Sequence, residues 1–436
     1  MENRPSPINA IWLYMVLVAT VVAAYSGRME ATTAASFEGA KSAAVLAIGL
    51  IGVMALWLGL VKIAEVAGLM RLVARAARPL MVRLFPEVPP EHPAMSAMIL
   101  NLAANALGLG NAATPMGIKA MQELDKLNPQ KGTATHAMCL FLAINTSHLA
   151  LLPTGVLGVR ASAGSAHPAA IWVPSLLAAP CAMIVAILAA RWFARRSAPE
   201  PAFLAPSESV PVDEKVAVEP AADLVVPGRF ARLAVVAVVL ALVAAVPYRL
   251  TLAAIDGRLT LDHAAVTAAL HWFVPILMCA FVLFGYFRGV KVYEALTEGA
   301  KDGFQVAVRI IPYMVAIFAA IAMLRASGAL GLFAWVVDPL TSRIGLPADA
   351  LPMVFLRPLS GTGAFAYMSE ATQRDPNGFL AYLLGVMQGS TETTFYVLAV
   401  YFGAVGVRNV RYAVTVGLLA DAVGFGAALF FSRLLY

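Results

Sequence analysis

The sequence predicts an all-α, polytopic membrane protein. Three observations carry that prediction: 61% of its 436 residues are hydrophobic, only 13% are charged, and long apolar runs recur from end to end. Ordinary soluble domains carry roughly 25% charge, because a water-facing surface needs polar cover that a lipid-facing one does not. Mean hydropathy is +0.79.

A crossing helix needs about 20 apolar residues. Such runs lie at 9–24, 43–64, 136–157, 170–193, 230–246, 264–287, 304–324, 379–402 and 413–435. They predict about nine transmembrane helices. The first run has features of a signal peptide, but its leader "MENRPS" holds one Arg beside a Glu and the next run is another span, which favours a retained helix over a cleaved one.

Composition also narrows the chemistry. Cys139, Cys181 and Cys279 lie far apart in apolar runs with no C-x-x-C pair, and the six histidines form no H-E-x-x-H, so neither disulfides nor a metal site are expected. No Walker A run or G-x-G-x-x-G occurs, which leaves nucleotide cofactors without a seat. No cofactor and no enzymatic constellation is expected. The net charge of +6 comes from Lys and Arg clustered at span ends, where the positive-inside rule places them, so nucleic acid is not an expected partner. The expected partners are the lipid bilayer and a small-molecule solute, and self-association into a homo-oligomer is compatible with the sequence.

Residues 195–229 change character to Pro, Glu, Asp, Ser and small residues: "RRSAPEPAFLAPSESVPVDEKVAVEPAADLVVPGR". This reads as a solvated, disordered linker. Its Arg195, Arg196, Lys215 and Arg229 place it in the cytoplasm and the whole chain in the cytoplasmic (inner) membrane. The expected organisation is a membrane half at 1–194, a linker at 195–229 and a second membrane half at 230–436.

The two halves resemble each other. "FEGAKSAAV" at 37–45 recurs as "TEGAKDGFQ" at 297–305, and the same offset of 260 residues pairs Gly68 with Gly328 and Pro79 with Pro339. Later, "TGVLGVR" ending at Arg160 echoes "FGAVGVR" ending at Arg408. Each half has the same set of spans, but the second is preceded by an extra one at 230–246. An odd span between two copies turns the second upside down, which predicts an inverted-topology repeat. A miscount by one would make it parallel.

Within each half one stretch is too interrupted to cross as a regular helix: "FPEVPPEHPAMSAMILNLAANALGLGNAATPMGIKAMQELDKLNP" and "LPADALPMVFLRPLSGTGAFAYMSEATQRDP". Each has a short apolar piece, a Gly-rich polar break, and an amphipathic piece with a charged tail. Pieces of 10–14 apolar residues fit re-entrant half-helices, and irregular backbone at membrane depth is tolerated only where protein or a wet cavity surrounds it. Asn101, Asn105 and Asn111 supply donors and acceptors at the first break. Thr114 is expected to cap a second short helix with Pro115 in its first turn. At the second break stand Arg357, Ser360 and Thr362. The alternative is that the asparagines only bond neighbouring helices and the glycines only permit close packing. Two breaks at corresponding places in two repeats favour a site, since that is where transporters keep their midplane pocket.

A second polar cluster follows each hairpin: Asn145, Thr146, Ser147 and His148 in the first half, and Gln388, Ser390, Thr391, Glu392, Thr393 and Thr394 in the second. Such groups are costly in lipid and must face inward. Glu392 is a candidate for proton coupling or, alternatively, an ion-pair partner for an arginine. Arg309, Arg325 and Arg357 are available for that, and Arg357 could instead face an anionic substrate. Glu65 and Arg325 occupy the same repeat position and could pair across a two-fold axis, or Glu65 could pair locally with Lys62.

The motif "NLAANALGLGNAATPMGIKAMQEL" resembles the signature of spore maturation protein A. "LLGVMQGSTETTFYVLAVYFGAVGVR" with "LRPLSGTGA" resembles that of spore maturation protein B. Both are similar to the nucleoside-recognition or "gate" domain group, which includes the membrane parts of ferrous-iron and concentrative nucleoside transporters. The resemblance covers nearly the whole chain apart from the linker, and it departs from the separate A and B chains in being fused. It implies small-molecule recognition and, through the family names, a link to spore core dehydration. The expected function is a permease or channel-like transporter for a small polar, anionic or nucleoside-like solute. Its site would hold Asn101, Asn105, Asn111, Thr114, Asn145, Arg357, Ser360, Thr362, Ser390, Thr391, Glu392 and Thr393. The rival expectation is a non-transporting scaffold that supports envelope or spore maturation.

Overall fold

The computed structural model describes residues 7–108, 110–147, 150–197 and 263–436, together with 228, 230, 233, 235–241, 244, 245 and 248. The predicted span at 230–246 is described only at 230, 233, 235–241, 244 and 245, all of them helical, and nearly all of the linker lies outside the described residues. Among the described residues there is no strand beyond an isolated bridge between Thr133 and Asn409.

The helices fall into two series of the same order. The first is α1 (Pro7–Ser26), α2 (Met29–Val66), α3 (Leu69–Leu84), α4 (Pro93–Ala106), α5 (Gly110–Leu127), α6 (His136–Thr146), α7 (Thr154–Ser162) and α8 (Trp172–Arg196). The second is α9 (His263–Phe287), α10 (Val292–Ser327), α11 (Ala329–Ile344), α12 (Leu351–Leu359), α13 (Gly361–Arg374), α14 (Phe379–Ser390), α15 (Thr394–Gly403) and α16 (Ala413–Leu435). In each, a very long second helix of 38 or 36 residues precedes one of 16 residues. The turn between them is made by a glycine in the left-handed region, Gly68 at φ +85° and Gly328 at φ +88°, a backbone conformation that residues with a side chain rarely adopt.

Among the described residues four helices are long and apolar enough to cross a membrane: α2, α8 with the short turn before it, α10 and α16. Shorter apolar stretches at Trp12–Ser26, His136–Thr146 and Val274–Phe287 accompany them. The protein is a helical, polytopic membrane protein. At 1.5 Å per residue α2 extends about 57 Å, well beyond a hydrocarbon core of about 30 Å. The excess is its charged N-terminal part, where Lys41 and Glu38 form an exposed pair that Lys301 and Glu298 repeat on α10.

The chain packs as two compact units. The larger comprises 1–54, 70–212 and 305–436, and so draws on both sides of the linker; the smaller comprises 55–69 and 213–304. In the larger unit Arg28 lies against Gly328 while Gly39 lies against Phe318 and Ala322, so α2 and α10 run antiparallel. Elsewhere in that unit Gly424 of α16 approaches Ala182 of α8, and Tyr412 at the start of α16 stacks on Phe193 at the end of α8. Those two equivalent helices are antiparallel as well. In the smaller unit Gly299 lies against Leu58, Gly59 and Lys62. The offset of 260 residues turns this contact into that of Gly39 with Phe318 and Ala322. Two pairs of equivalent helices running in opposite directions mean that the axis relating the repeats is perpendicular to them, as inverted topology requires.

The two runs read as the spans 136–157 and 379–402 are each split. Helix α6 is 11 residues long and α14 is 12, too short to cross, and all but His136 of the first and most of the second are buried in the larger unit. A helix that is apolar all round has no solvent face, so it belongs in the interior. Both stop at the polar clusters, and α7 and α15 resume beyond them.

Candidate functional site

Each hairpin is built as its residues dictate. Helix α4 starts at Pro93 with His92 as its cap, whose Nδ1 accepts from the Ala94 amide at 3.2 Å. It ends at a turn through Gly108, held at φ +73°, where an added Cβ would also press on the Leu152 carbonyl at 3.2 Å. Helix α5 then begins at Gly110, so Thr114 and Pro115 stand inside it and Thr114 is not its cap. The left-handed turn at Gly108 lets the chain re-enter helix earlier than the Thr-Pro pair suggests. In the second hairpin the break is one residue, Ser360, extended at φ −151°, ψ 108°. Its hydroxyl accepts from the Gly363 amide at 3.0 Å and lies 3.4 Å from that of Thr362. Ser360 and Thr362 thus organise the start of α13.

The first-half residues assemble into an amide cluster. Asn105 donates to Asn145 Oδ1 at 2.8 Å, and Asn145 donates to the Phe141 carbonyl at 2.9 Å. Asn101, fully buried, donates to the Ala113 carbonyl at 2.8 Å and to Tyr401 Oη at 3.2 Å. Tyr401 in turn donates to Asn145 Oδ1 at 3.4 Å. This tyrosine ties the cluster to α15, and an added Cβ on Gly117 of α5 would fall 2.2 Å from its hydroxyl. Tyr401 was not among the expected site residues, because within "VLAVYFG" it reads as apolar core. The side chain of Asn111 and all of His148 lie outside the described residues.

The second-half residues assemble around Arg357, which is 2% exposed. Its Nε donates to Thr391 Oγ1 at 3.2 Å, its Nη1 to Thr393 Oγ1 at 3.0 Å and to Glu392 Oε1 at 3.5 Å, and its Nη2 to the carbonyls of Gln388, at 3.3 Å, and Thr391. Helix α14 ends where its carbonyls lose their next-turn partners, and the guanidinium supplies donors there. All three of its nitrogens are engaged by the chain itself. Glu392 keeps 31% of its side chain exposed. Beside it Thr394 donates to Asp421 Oδ2 at 2.7 Å. Ser390 is sealed and its hydroxyl returns to the Val386 carbonyl at 2.7 Å, so it stands apart from the cluster.

The two breaks meet: the Glu392 amide donates to the Thr146 carbonyl at 3.1 Å, and the Leu151 amide to the Ala106 carbonyl at 2.8 Å. Hairpin tip, break and break are thereby in contact in the interior of the larger unit. Among the described residues of these elements three buried side-chain acceptors have no donor: Asn101 Oδ1, Gln388 Oε1 and Asp421 Oδ1. Of the two partners open to Glu65, Arg325 by repeat position and Lys62 by helical spacing, the local one is taken. Glu65 takes Lys62 at 3.2 Å, one helical turn away, while Arg325 holds Glu370 through both guanidinium ends, with Nη2 to Oε2 at 3.1 Å. Local and bidentate partners hold both charges.

Fold and site together define a polytopic helical membrane protein with an internal repeat and two discontinuous helices crossing at polar breaks. The profile of the Gate family, described as nucleoside recognition, matches residues 47–163 and 307–408, one block in each series of helices, and the chain belongs to that family. It is 45% identical over 186 residues to spore maturation protein A of Bacillus subtilis (strain 168), covering 43% of this chain and 95% of that protein. It is 42% identical over 164 residues to spore maturation protein B of the same organism, covering 37% of this chain and 92% of that protein. No solved structure matches.

Proposed function

We propose that the protein is a permease of the cytoplasmic membrane for a small polar, uncharged, nucleoside-like solute, and not an enzyme. The observation that carries this reading is the meeting of the two breaks, Glu392 amide on Thr146 carbonyl, beside both hairpins. Discontinuous helices meeting in the interior of an inverted repeat are the arrangement in which transporters bind their cargo and alternate its access.

The choice of a neutral solute over an anion rests on a census of donors. Arg357 already donates from every nitrogen to the chain, so an anion would have to displace those bonds. The unmatched acceptors there are Asn101 Oδ1, Gln388 Oε1 and Asp421 Oδ1, which ask for a guest with N–H or O–H groups. The family's description as nucleoside recognition supports the same class. Glu392, one-third exposed and next to Arg357, is the proton-coupling candidate.

The test begins with an unbiased metabolite comparison between cells with and without the gene, then measures uptake of the compounds that differ, and of nucleosides, into proteoliposomes. Saturable flux in the natural protein, lost in Asn105→Leu while folding is retained, is expected. Glu392→Gln should flatten the pH dependence of that flux. If neither flux nor binding is found, and hairpin variants act only through stability while linker deletion abolishes function in cells, the scaffold reading replaces this one.

A further inference from the structure

Among the described residues Arg160 is the other deeply buried arginine of the larger unit, and nothing in the proposed permease uses it. It lies in the last turn of α7 and is 3% exposed. Only Nη2 has a hydrogen-bond acceptor, Ser165 Oγ at 2.9 Å; Nε and Nη1 have none. Its guanidinium carbon lies 5.8 Å from the centre of the Tyr382 ring. Among the described residues no carboxylate pairs with it. A guanidinium keeps its charge in proteins, and a charge removed from water without a counter-charge is strongly unfavourable.

The repeat supplies an internal control. Arg408 occupies the same motif position, at the end of "FGAVGVR", and is exposed. Arg408, in the loop beyond the end of α15 at Gly403, is left exposed, whereas Arg160, inside the last turn of α7, is sealed beneath the turn at 164–167. That turn is pinned by Asn377, whose Oδ1 accepts from the Ala166 amide at 2.9 Å and from Ser165 Oγ at 3.4 Å. Around it stand Tyr382 and Tyr436, ring centres 5.2 Å apart, and Tyr436 donates to the Asn377 carbonyl at 2.9 Å. Because α8 and α16 are antiparallel spans, the start of α8 and the end of α16 lie at one membrane surface. Arg160 sits there, among tyrosines of the kind that gather at bilayer interfaces.

We infer that Arg160 and Ser165 form a site for a phosphate-type oxyanion, at the membrane surface opposite the one from which the linker leaves α8. The guanidinium would give the anion its unpartnered Nε and Nη1 donors while Ser165, whose own hydroxyl hydrogen goes to Asn377, holds Nη2 in place, and the anion would provide the missing counter-charge. A phospholipid headgroup and a soluble phosphate share this chemistry.

The full chain, purified in a neutral detergent, separates them through its melting temperature. One arm adds inorganic phosphate against chloride at matched ionic strength; the other adds phosphatidylglycerol against phosphatidylcholine. The expected result is a saturating upward shift in one arm, absent in Arg160→Gln and retained in Arg408→Gln. A shift with inorganic phosphate marks a soluble anion, and a shift with phosphatidylglycerol alone marks a headgroup. Should Arg160→Gln not fold, Arg160→Lys, which keeps the charge but loses the planar donor set, must weaken the shift. No shift in either arm for the natural protein, or an equal one in Arg160→Gln or in Arg160→Lys, overturns the site, and leaves the permease reading untouched because flux is measured separately.

Discussion

The two repeats place their polar side chains on the same backbone plan and use it for different chemistry. In the first, the hairpin and break hold neutral amides, Asn101, Asn105 and Asn145, joined through Tyr401. In the second, a single buried cation, Arg357, collects two hydroxyls, two carbonyls and a carboxylate. The difference shows that the repeat fixes where irregular backbone occurs, while side chains decide how it is satisfied. One half is a hydrogen-bonding wall with acceptors to spare. The other is an electrostatic clamp that holds the end of α14.

That contrast has its largest consequence in stability. Arg357→Met should destabilise the protein by about 3–5 kcal/mol, because it strands a buried cluster built around one charge, whereas Asn145→Leu should cost about 1–3 kcal/mol. Denaturation in detergent compares them, and equal costs would erase the distinction between clamp and wall. Gly117→Ala should cost about 1–3 kcal/mol by overpacking against Tyr401, and the same substitution made in a Tyr401→Ala background should cost far less. If Gly117→Ala is neutral, the close approach of α5 to α15 is wrong.

Smaller effects sharpen the picture. Tyr401→Phe removes one hydroxyl from the amide cluster, yet Asn101 keeps the Ala113 carbonyl and Asn145 keeps Asn105, so the cost should be about 1 kcal/mol. At the hairpin entrance, burial lowers the His92 pKa below its usual 6.5, with Glu123 opposing and Lys126 adding to the shift. A lowered pKa means the neutral ring, whose Nδ1 caps α4, is favoured on folding. That contribution is complete above pH 6.5 and lost as pH falls through the folded value. Melting between mildly alkaline and mildly acidic pH should show the loss, and His92→Asn, a cap that does not titrate, should remove this component.

Much of this was legible in the residues themselves. Asparagines and hydroxyls inside apolar runs could not face lipid, and they lie at the breaks; the Glu-Gly-Ala-Lys repeat and Gly68 with Gly328 located the duplication. What escaped the sequence was partnership. Tyr401 is indistinguishable from core until its hydroxyl is seen on Asn101, and Ser390 looks like its neighbours until its hydroxyl is found on its own helix. Thr114-Pro115 carries a strong start signal, but the turn at Gly108 begins α5 earlier. For Glu65 repeat position pointed to Arg325 and helical spacing to Lys62, and residue type alone did not choose: Lys62 is taken, and Arg325 holds Glu370.

The most direct measurement is aqueous labelling of Glu392→Cys in a chain whose Cys139, Cys181 and Cys279 are replaced. A lipid-facing position such as Leu188→Cys, on a residue 61% exposed, serves as reference. A small charged thiol reagent reacts only where water reaches the sulfur as thiolate. A solute-accessible meeting point of the two breaks predicts that position 392 is modified, that position 188 is not, and that a transported solute slows the reaction at 392. Position 392 staying unreactive while a loop cysteine reacts fully would contradict it.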